Sequence, residues 1–182
     1  MSRFTAVVRA RIPDRLAWAV QALDISPGDR ILEIGCGNGA AVSLVCDRLA
    51  GGRITAIDRS ATAIDRATRR NAAHVSSGKA VFQHTDLAGF APSGQRFDTV
   101  YAVNVNAFWV AAAEAEWGTA SDVLRPAGVL HLFYQTPTEA QLRRVAEIVT
   151  AAMTDHGFSP ATIVNRSLRL LHITGRLGHH TR

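Results

Sequence analysis

Lysine occurs once, at Lys79, cysteine twice, at Cys36 and Cys46, and no apolar run approaches the roughly 18 residues of a membrane span. These shortages exclude several classes of protein. The two cysteines lie in one local turn and the segment just after it, where a structural disulfide is not expected, so both are read as reduced thiols. No grouping of His, Cys, Asp and Glu has metal-ligand spacing, and no metal site is expected. The first residues, with Arg3, Arg9, Arg11 and Asp14, lack the apolar core of a signal peptide. The chain is therefore read as soluble and cytoplasmic, with no membrane partner. No internal repeat or low-complexity segment is visible.

What is present is a chain of 182 residues, 47% hydrophobic, long enough for one well-cored domain and too short for two of ordinary size. The expected division is a helical cover over residues 1–23, a core over 24–177 and a free tail over 178–182, where His179 and His180 are read as solvated. The net charge of +5 and a pI near 10.2 raise nucleic acid as a partner. Arg3, Arg9, Arg11 and Arg15 gather at one end and Arg166, Arg169, Arg176 and Arg182 at the other. Such arginine and alanine usage reflects codon bias as readily as a binding face. Nucleic acid stays an alternative and is not the favoured partner.

The most informative stretch is Ile31-Leu32-Glu33-Ile34-Gly35-Cys36-Gly37-Asn38-Gly39-Ala40. Its short apolar run follows the turn signal Ser26-Pro27-Gly28-Asp29, and Val42, Leu44, Val45 and Leu49 then recur at helical spacing. This is strand, glycine turn, helix. Glycines allow a sharp turn and close approach of a ligand, while free amides at the helix start face the same space. The spacing also satisfies the dinucleotide fingerprint of nicotinamide and flavin enzymes. Glu33 argues against a dinucleotide, because a carboxylate at the mouth of the turn would oppose a pyrophosphate and favour the sulfonium and ammonium of S-adenosylmethionine. The competing reading has Glu33 cap amides of its own turn.

Before that stretch, helical patterns cover residues 4–11 and 14–23, the second opened by Pro13. After it the period alternates, with strands over 53–57, 80–84, 97–103 and 129–134, and helices over 61–74, 111–124 and 138–156. Alternation of this kind predicts a parallel sheet covered on both faces, with right-handed crossovers and ligands beyond the carboxyl ends of the strands. Residues 161–165 and 170–174 are strand-like and separated by a link too short for a parallel crossover, which leaves a hairpin.

In this pattern the sequence resembles the class I S-adenosylmethionine-dependent methyltransferases, from about Asp24 to Leu177. Glu33-x-Gly35-x-Gly37-x-Gly39 looks like the family's first motif, Asp58 closes the second strand as its second motif does, and Asp86 follows the third strand. Leu124-Arg125-Pro126-Ala127-Gly128 is similar to the family's turn before the fifth strand, usually with glycine where this chain has Ala127. The resemblance implies an α/β fold, a Rossmann-like three-layer sandwich with a seven-stranded, mostly parallel sheet ordered 3-2-1-4-5-7-6 and an antiparallel seventh strand.

It also implies that S-adenosylmethionine is held by Glu33, Gly35, Cys36, Gly37, Gly39, Asp58, Arg59, Asp86, Leu87 and Asn104. Asp58, at a strand end, is suited to accept both ribose hydroxyls, as it would be in a dehydrogenase, or to favour the N-terminus of the next helix. Asp86 and the Leu87 amide would meet adenine, and Asn104 the methionine ammonium. Arg59 and Ser60 would flank the adenine, with Ser60 also capping a helix.

Asn106, Trp109 and Tyr134 follow or end strands four and five and are assigned to the acceptor side, with Gln135 beside them. Trp109 either orients an aromatic or cationic acceptor or packs in a core or lid, and Tyr134 either bonds an acceptor oxygen or finishes a strand. His131 is read as sheet-facing, and no catalytic base is named. The run from Asn104 to Trp109 is not the Asn-Pro-Pro-aromatic box of amino-methylating nucleic-acid enzymes, there is no Pro-Cys nucleophile, and Lys79 alone cannot supply a two-lysine site. A small-molecule acceptor is thereby favoured over RNA or protein. A non-catalytic or nicotinamide-binding Rossmann domain is the third reading.

Overall fold

The computed structural model describes residues 12–109 and 113–178; the expected helix over residues 4–11 and the tail histidines lie outside them. Its element order is α1 (Asp14–Ala22), β1 (Arg30–Ile34), α2 (Ala40–Cys46), β2 (Arg53–Asp58), α3 (Ala61–Arg70), α4 (Ala72–Ser76), β3 (Ala80–His84), β4 (Phe97–Val103), α5 (Glu114–Val123), β5 (Leu124–Gln135), α6 (Glu139–Asp155), β6 (Phe158–Asn165) and β7 (Leu170–Leu177). The sheet runs β3-β2-β1-β4-β5-β7-β6, with β7 antiparallel to both neighbours and the other pairings parallel. The order and the terminal hairpin are those expected.

The burial of alternate strand residues on opposite faces makes three layers. On one face Ile31, Ile54, Ala56 and Phe133 pack with Val20 and Leu23 of the first helical segment, Val42 and Val45 of α2 and Ala67 of α3. On the other, Leu32, Val100, Leu130 and Leu132 pack with Trp117 and Ala120 of α5 and Leu142, Val149 and Met153 of α6. The stripe Leu142, Val145, Val149 and Met153 has helical spacing, and each such side chain contributes roughly 2 kcal/mol on burial. Thr138 opens α6 by accepting the Gln141 amide at 3.2 Å.

Three expectations need correction. The fifth strand begins at Leu124, because residues 125–128 form an irregularity within it: Phe97 pairs with Leu124 and Thr99 with Val129, and Ala127 takes φ +67°. The helix expected over 61–74 breaks at Asn71, whose side chain turns inward and bonds other elements. Cover on both faces is also incomplete. The crossover from β3 to β4, residues 85–96, contains no helix, and only Leu87 and Phe90 of that loop are buried against the sheet.

Candidate cofactor site

The glycine turn leaves β1 and locks onto the end of β2. Gly35 N and Cys36 N both donate to Ile57 O, at 2.8 and 3.0 Å, and Gly39 N closes the turn on Cys36 O at 2.9 Å. Gly35, Gly37 and Gly39 have φ of +70°, +53° and +71°, a region costly for residues with a Cβ. Each has a different spatial reason to be glycine. A Cβ on Gly35 would lie 2.5 Å from Val105 Cγ2, and one on Gly39 2.6 Å from Asn71 Nδ2. A Cβ on Gly37 would meet nothing within 4 Å and would project into the open mouth of the turn, as in a cradle kept clear for a ligand.

Asp58 joins this turn to the second strand. Its Oδ2 accepts Gly37 N and its Oδ1 accepts Ser60 N, both at 2.9 Å. Each carboxylate oxygen retains acceptor capacity, so the side chain is placed without being exhausted. Ser60 caps α3 as expected, accepting Ala63 N at 3.3 Å. Beside it, Thr85 N donates to Asp58 O at 3.1 Å, which brings the loop of Asp86 and Leu87 to the same rim. Asp86 is exposed and holds Gly89 N at 2.9 Å, while the Leu87 side chain is buried. Arg59 is exposed, its carbonyl bonded by His84 Nε2 at 3.0 Å.

On the opposite side Asn104 leaves β4 at φ +56°, a conformation asparagine tolerates. Its Oδ1 accepts Gln135 N at 2.7 Å and its amide donates to Phe133 O at 2.8 Å, so it ties the ends of β4 and β5. The next residue, Val105, is the one that abuts Gly35. The 3₁₀ turn Asn106–Phe108 follows, and Asn106 Oδ1 accepts Trp109 Nε1 at 3.1 Å. Trp109 is 37% exposed, so the indole is held by one edge and offers a face to solvent. Four strand ends therefore converge, bringing together Gly35, Cys36, Gly37, Gly39, Asp58, Arg59, Asp86, Leu87, Asn104, Asn106 and Trp109.

Two expected residues stand apart. Tyr134 is 4% exposed within the α5 and α6 side of the core, and its hydroxyl has no partner among the described residues, so it does not line an open acceptor surface. Glu33 lies beneath the turn, not at its mouth: it is 3% exposed, and burial pushes its carboxyl up to about 8, with the Tyr101 hydroxyl acting against that shift and the Asp58 charge adding to it. Its Oε2 has no partner among the described residues. An orphaned carboxyl oxygen beneath a turn that the Asp58 carboxylate also borders is a fit for a ligand carrying positive charge. Burial first and then the Glu33 and Asp58 charges push the Cys36 thiol far above the usual range, which keeps it protonated.

His131 is sheet-facing. It stacks on His172 and its Nδ1 lies 3.0 Å from His172 Nε2, and burial lowers the two to about 3 and about 4, so both are neutral at pH 7. Sequence reasoning missed Asn71 and Val105. Asn71 Nδ2 donates to Gly39 O at 3.0 Å and Ala67 O at 2.9 Å, and its Oδ1 accepts the Ser43 hydroxyl at 2.7 Å. The available signal was an asparagine inside an otherwise helical pattern. Val105 gives no signal, because an apolar residue after a strand has many ordinary explanations.

Among the described residues no helix is long and apolar enough to cross a membrane, and no cluster could hold a metal ion. Against known proteins, the methyltransferase domain family matches residues 31–128. The chain is 32% identical over 127 residues to trans-aconitate 2-methyltransferase of Paracidovorax citrulli, covering 67% of this chain and 46% of that one. It is 35% identical over 124 residues to the release factor glutamine methyltransferase of Chlorobaculum tepidum, covering 66% and 40%. The chain thus spans less than half the length of these relatives. The solved N-methyltransferase NodS of Bradyrhizobium japonicum shares its fold, with a TM-score of 0.69 and 19% identity over 91% of this chain and 96% of that one. With the family matched across the glycine turn, Asp58, Asp86 and Asn104, and the sheet order and antiparallel β7 in place, the chain belongs to the class I S-adenosylmethionine-dependent methyltransferases.

Proposed function

We propose that the chain transfers a methyl group from S-adenosylmethionine to a small-molecule acceptor. The donor's sulfonium supplies an already activated methyl group when bound, so positioning accounts for most of what the protein contributes. Gly37 keeps the mouth of the turn clear, Asp58 offers its free lone pairs to ribose hydroxyls, and Asp86 and Leu87 border the adenine side. Asn104 fixes the exits of β4 and β5, and Glu33 supplies a buried carboxyl beneath the cationic part.

The observation that carries the acceptor class is Trp109. Its indole is oriented by Asn106 Oδ1 at 3.1 Å and is 37% exposed beside the same rim, a surface suited to a flat or cationic small molecule. The likeness to trans-aconitate 2-methyltransferase supports a small acceptor, whereas the likeness to a release factor glutamine methyltransferase supports a protein acceptor as the second reading. No side chain is assigned as a base. Transfer of tritium from methyl-labelled S-adenosylmethionine to panels of organic acids, phenols and amines, run beside release factors and total RNA, separates the two. Label in the small-molecule panel, with Trp109→Ala raising the acceptor KM and leaving donor affinity unchanged, is expected. Label confined to protein or RNA would remove the small-molecule reading.

A further inference from the structure

The helix-free crossover from β3 to β4 leaves one face of β1 and β2 open at the amino ends of the strands, the end opposite the glycine turn. There a cavity of about 460 Å³ is lined by Arg30, Arg53, Arg125, Gln95, Thr55 and Phe97, together with glycine backbone. Arg30 and Arg53 are register partners on adjacent parallel strands, so both side chains leave the same face from backbones about 4.8 Å apart. Both arginines are exposed, and like charges placed this way repel, which an anion between them would relieve.

The other basic side chains near this end are occupied. Arg48 Nη1 donates to Val20 O at 2.6 Å and Leu23 O at 3.2 Å, closing the end of α1. Lys79 Nζ does the same for α2 through Cys46 O at 3.1 Å and Leu49 O at 2.8 Å. Arg96 Nη1 serves α5 through Asp122 O at 2.6 Å and Leu124 O at 3.1 Å. These are the helix termini at which cations are favourable. Arg125 bonds Asp98 Oδ1 at 2.5 Å, and Asp98 Oδ2 accepts the Arg30 backbone amide at 2.7 Å. Asp29 turns to the Ser26 amide at 2.8 Å. Among the described residues the guanidinium groups of Arg30 and Arg53 carry no hydrogen bond or ion pair.

The floor under them is closed by backbone hydrogen bonds. Ala50 N and Gly52 N both donate to Pro27 O at 2.9 Å, and Arg53 N to Asp29 O at 2.9 Å. A Cβ on Gly52 would lie 2.3 Å from Asp29 O, so glycine is required for this close approach. Planar guanidinium forks match phosphate oxygens bidentately, and a cavity of this volume is in the range of small-ligand sites.

We propose that Arg30 and Arg53 form a binding site for a compact phosphate-bearing small molecule at this cavity, separate from the methyl-donor site. Calorimetric titration with inorganic pyrophosphate at low ionic strength tests this on the whole chain, in the wild type and in Arg30→Gln and Arg53→Gln. The wild type should bind one pyrophosphate, and each variant should bind about tenfold or more weaker, the scale of one lost charge-assisted hydrogen bond. S-adenosylmethionine titrations should be the same in all three, which keeps this site distinct from the cofactor reading. Absence of pyrophosphate binding at millimolar concentration, or equal binding in the variants, would overturn the proposal. So would a fluorescein-labelled single-stranded RNA that binds through the same arginines and displaces pyrophosphate at lower concentration, since the site would then belong to a nucleic-acid backbone.

Discussion

Asn71 Nδ2 donates to the Gly39 carbonyl at 3.0 Å, which fastens the last residue of the glycine turn to the end of α3. The same side chain, 1% exposed, also satisfies Ala67 O and the Ser43 hydroxyl, so three elements share one carboxamide. Gly39 and Asn71 are mutually required: the turn leaves no room for a Cβ at 39, and the carboxamide occupies the space a larger residue would need. A cofactor turn held this way is placed before its ligand arrives.

Asn71→Ala should lower stability by about 2–3 kcal/mol, because it removes three side-chain hydrogen bonds at a buried site, and should weaken S-adenosylmethionine binding. Urea unfolding and calorimetry measure the two effects. Loss of stability with unchanged affinity would show that the turn keeps its shape without Asn71. In the same assay Gly39→Ala should cost more stability than Gly37→Ala, since both have positive φ and only the first collides with a neighbour.

Glu33 makes stability depend on pH. Its carboxyl titrates at about 8 in the folded chain against 4.5 for an unperturbed group. The folded state holds a proton that the unfolded chain has released, so this contribution is full below about 4.5 and is lost as pH rises through about 8. Stability should fall by about 1.4 kcal/mol per pH unit within that window, and Glu33→Gln should flatten the dependence. Donor affinity in the wild type should rise with pH over the same range, because the carboxyl must ionise to attract the cation. Burial therefore moves most of the effect of Glu33→Gln on donor binding to higher pH. Urea midpoints and donor titrations across the window check both slopes, and a flat wild-type profile would contradict the buried neutral carboxyl.

Ala127 holds φ +67° while exposed within the irregular start of β5, its carbonyl accepting Arg176 Nη1 at 2.7 Å. Relief of the left-handed strain outweighs the added chain entropy, so Ala127→Gly should stabilise the protein by about 0.5–1 kcal/mol. Thermal unfolding reads the gain; a lower midpoint would place the strain elsewhere.

Alternating periodicity carried most of the fold into the sequence. The glycine run announced the turn between β1 and α2, and the short link after residue 165 announced the antiparallel hairpin of β6 and β7. The bulge at residues 125–128 was hidden by Pro126 and Gly128, which read as an ordinary loop, and the missing helix between β3 and β4 was hidden because nothing fills its place. At the site, backbone-driven positions were legible, since left-handed glycines and a strand-end aspartate are local features. Glu33 was legible in identity and misjudged in depth: alternation along β1 sends it beneath the turn to Tyr101, which only the pairing of β1 with β4 determines. Tyr134 failed for the same reason, as strand parity turns it toward α6. Asn71 depends on a contact 32 residues away, beyond any local pattern.

On the function proposed above, the glycine turn and Asp58 together hold S-adenosylmethionine. Calorimetric titration of the wild type and of Asp58→Ala, each with S-adenosylmethionine and with reduced nicotinamide dinucleotide, tests it most directly. The wild type should bind S-adenosylmethionine and not the nicotinamide, and Asp58→Ala should weaken that binding by about 1.5–3 kcal/mol, the scale of hydrogen bonds to a charged acceptor, while still unfolding cooperatively. Nicotinamide binding without S-adenosylmethionine binding, or unchanged affinity in a folded Asp58→Ala, would contradict the account.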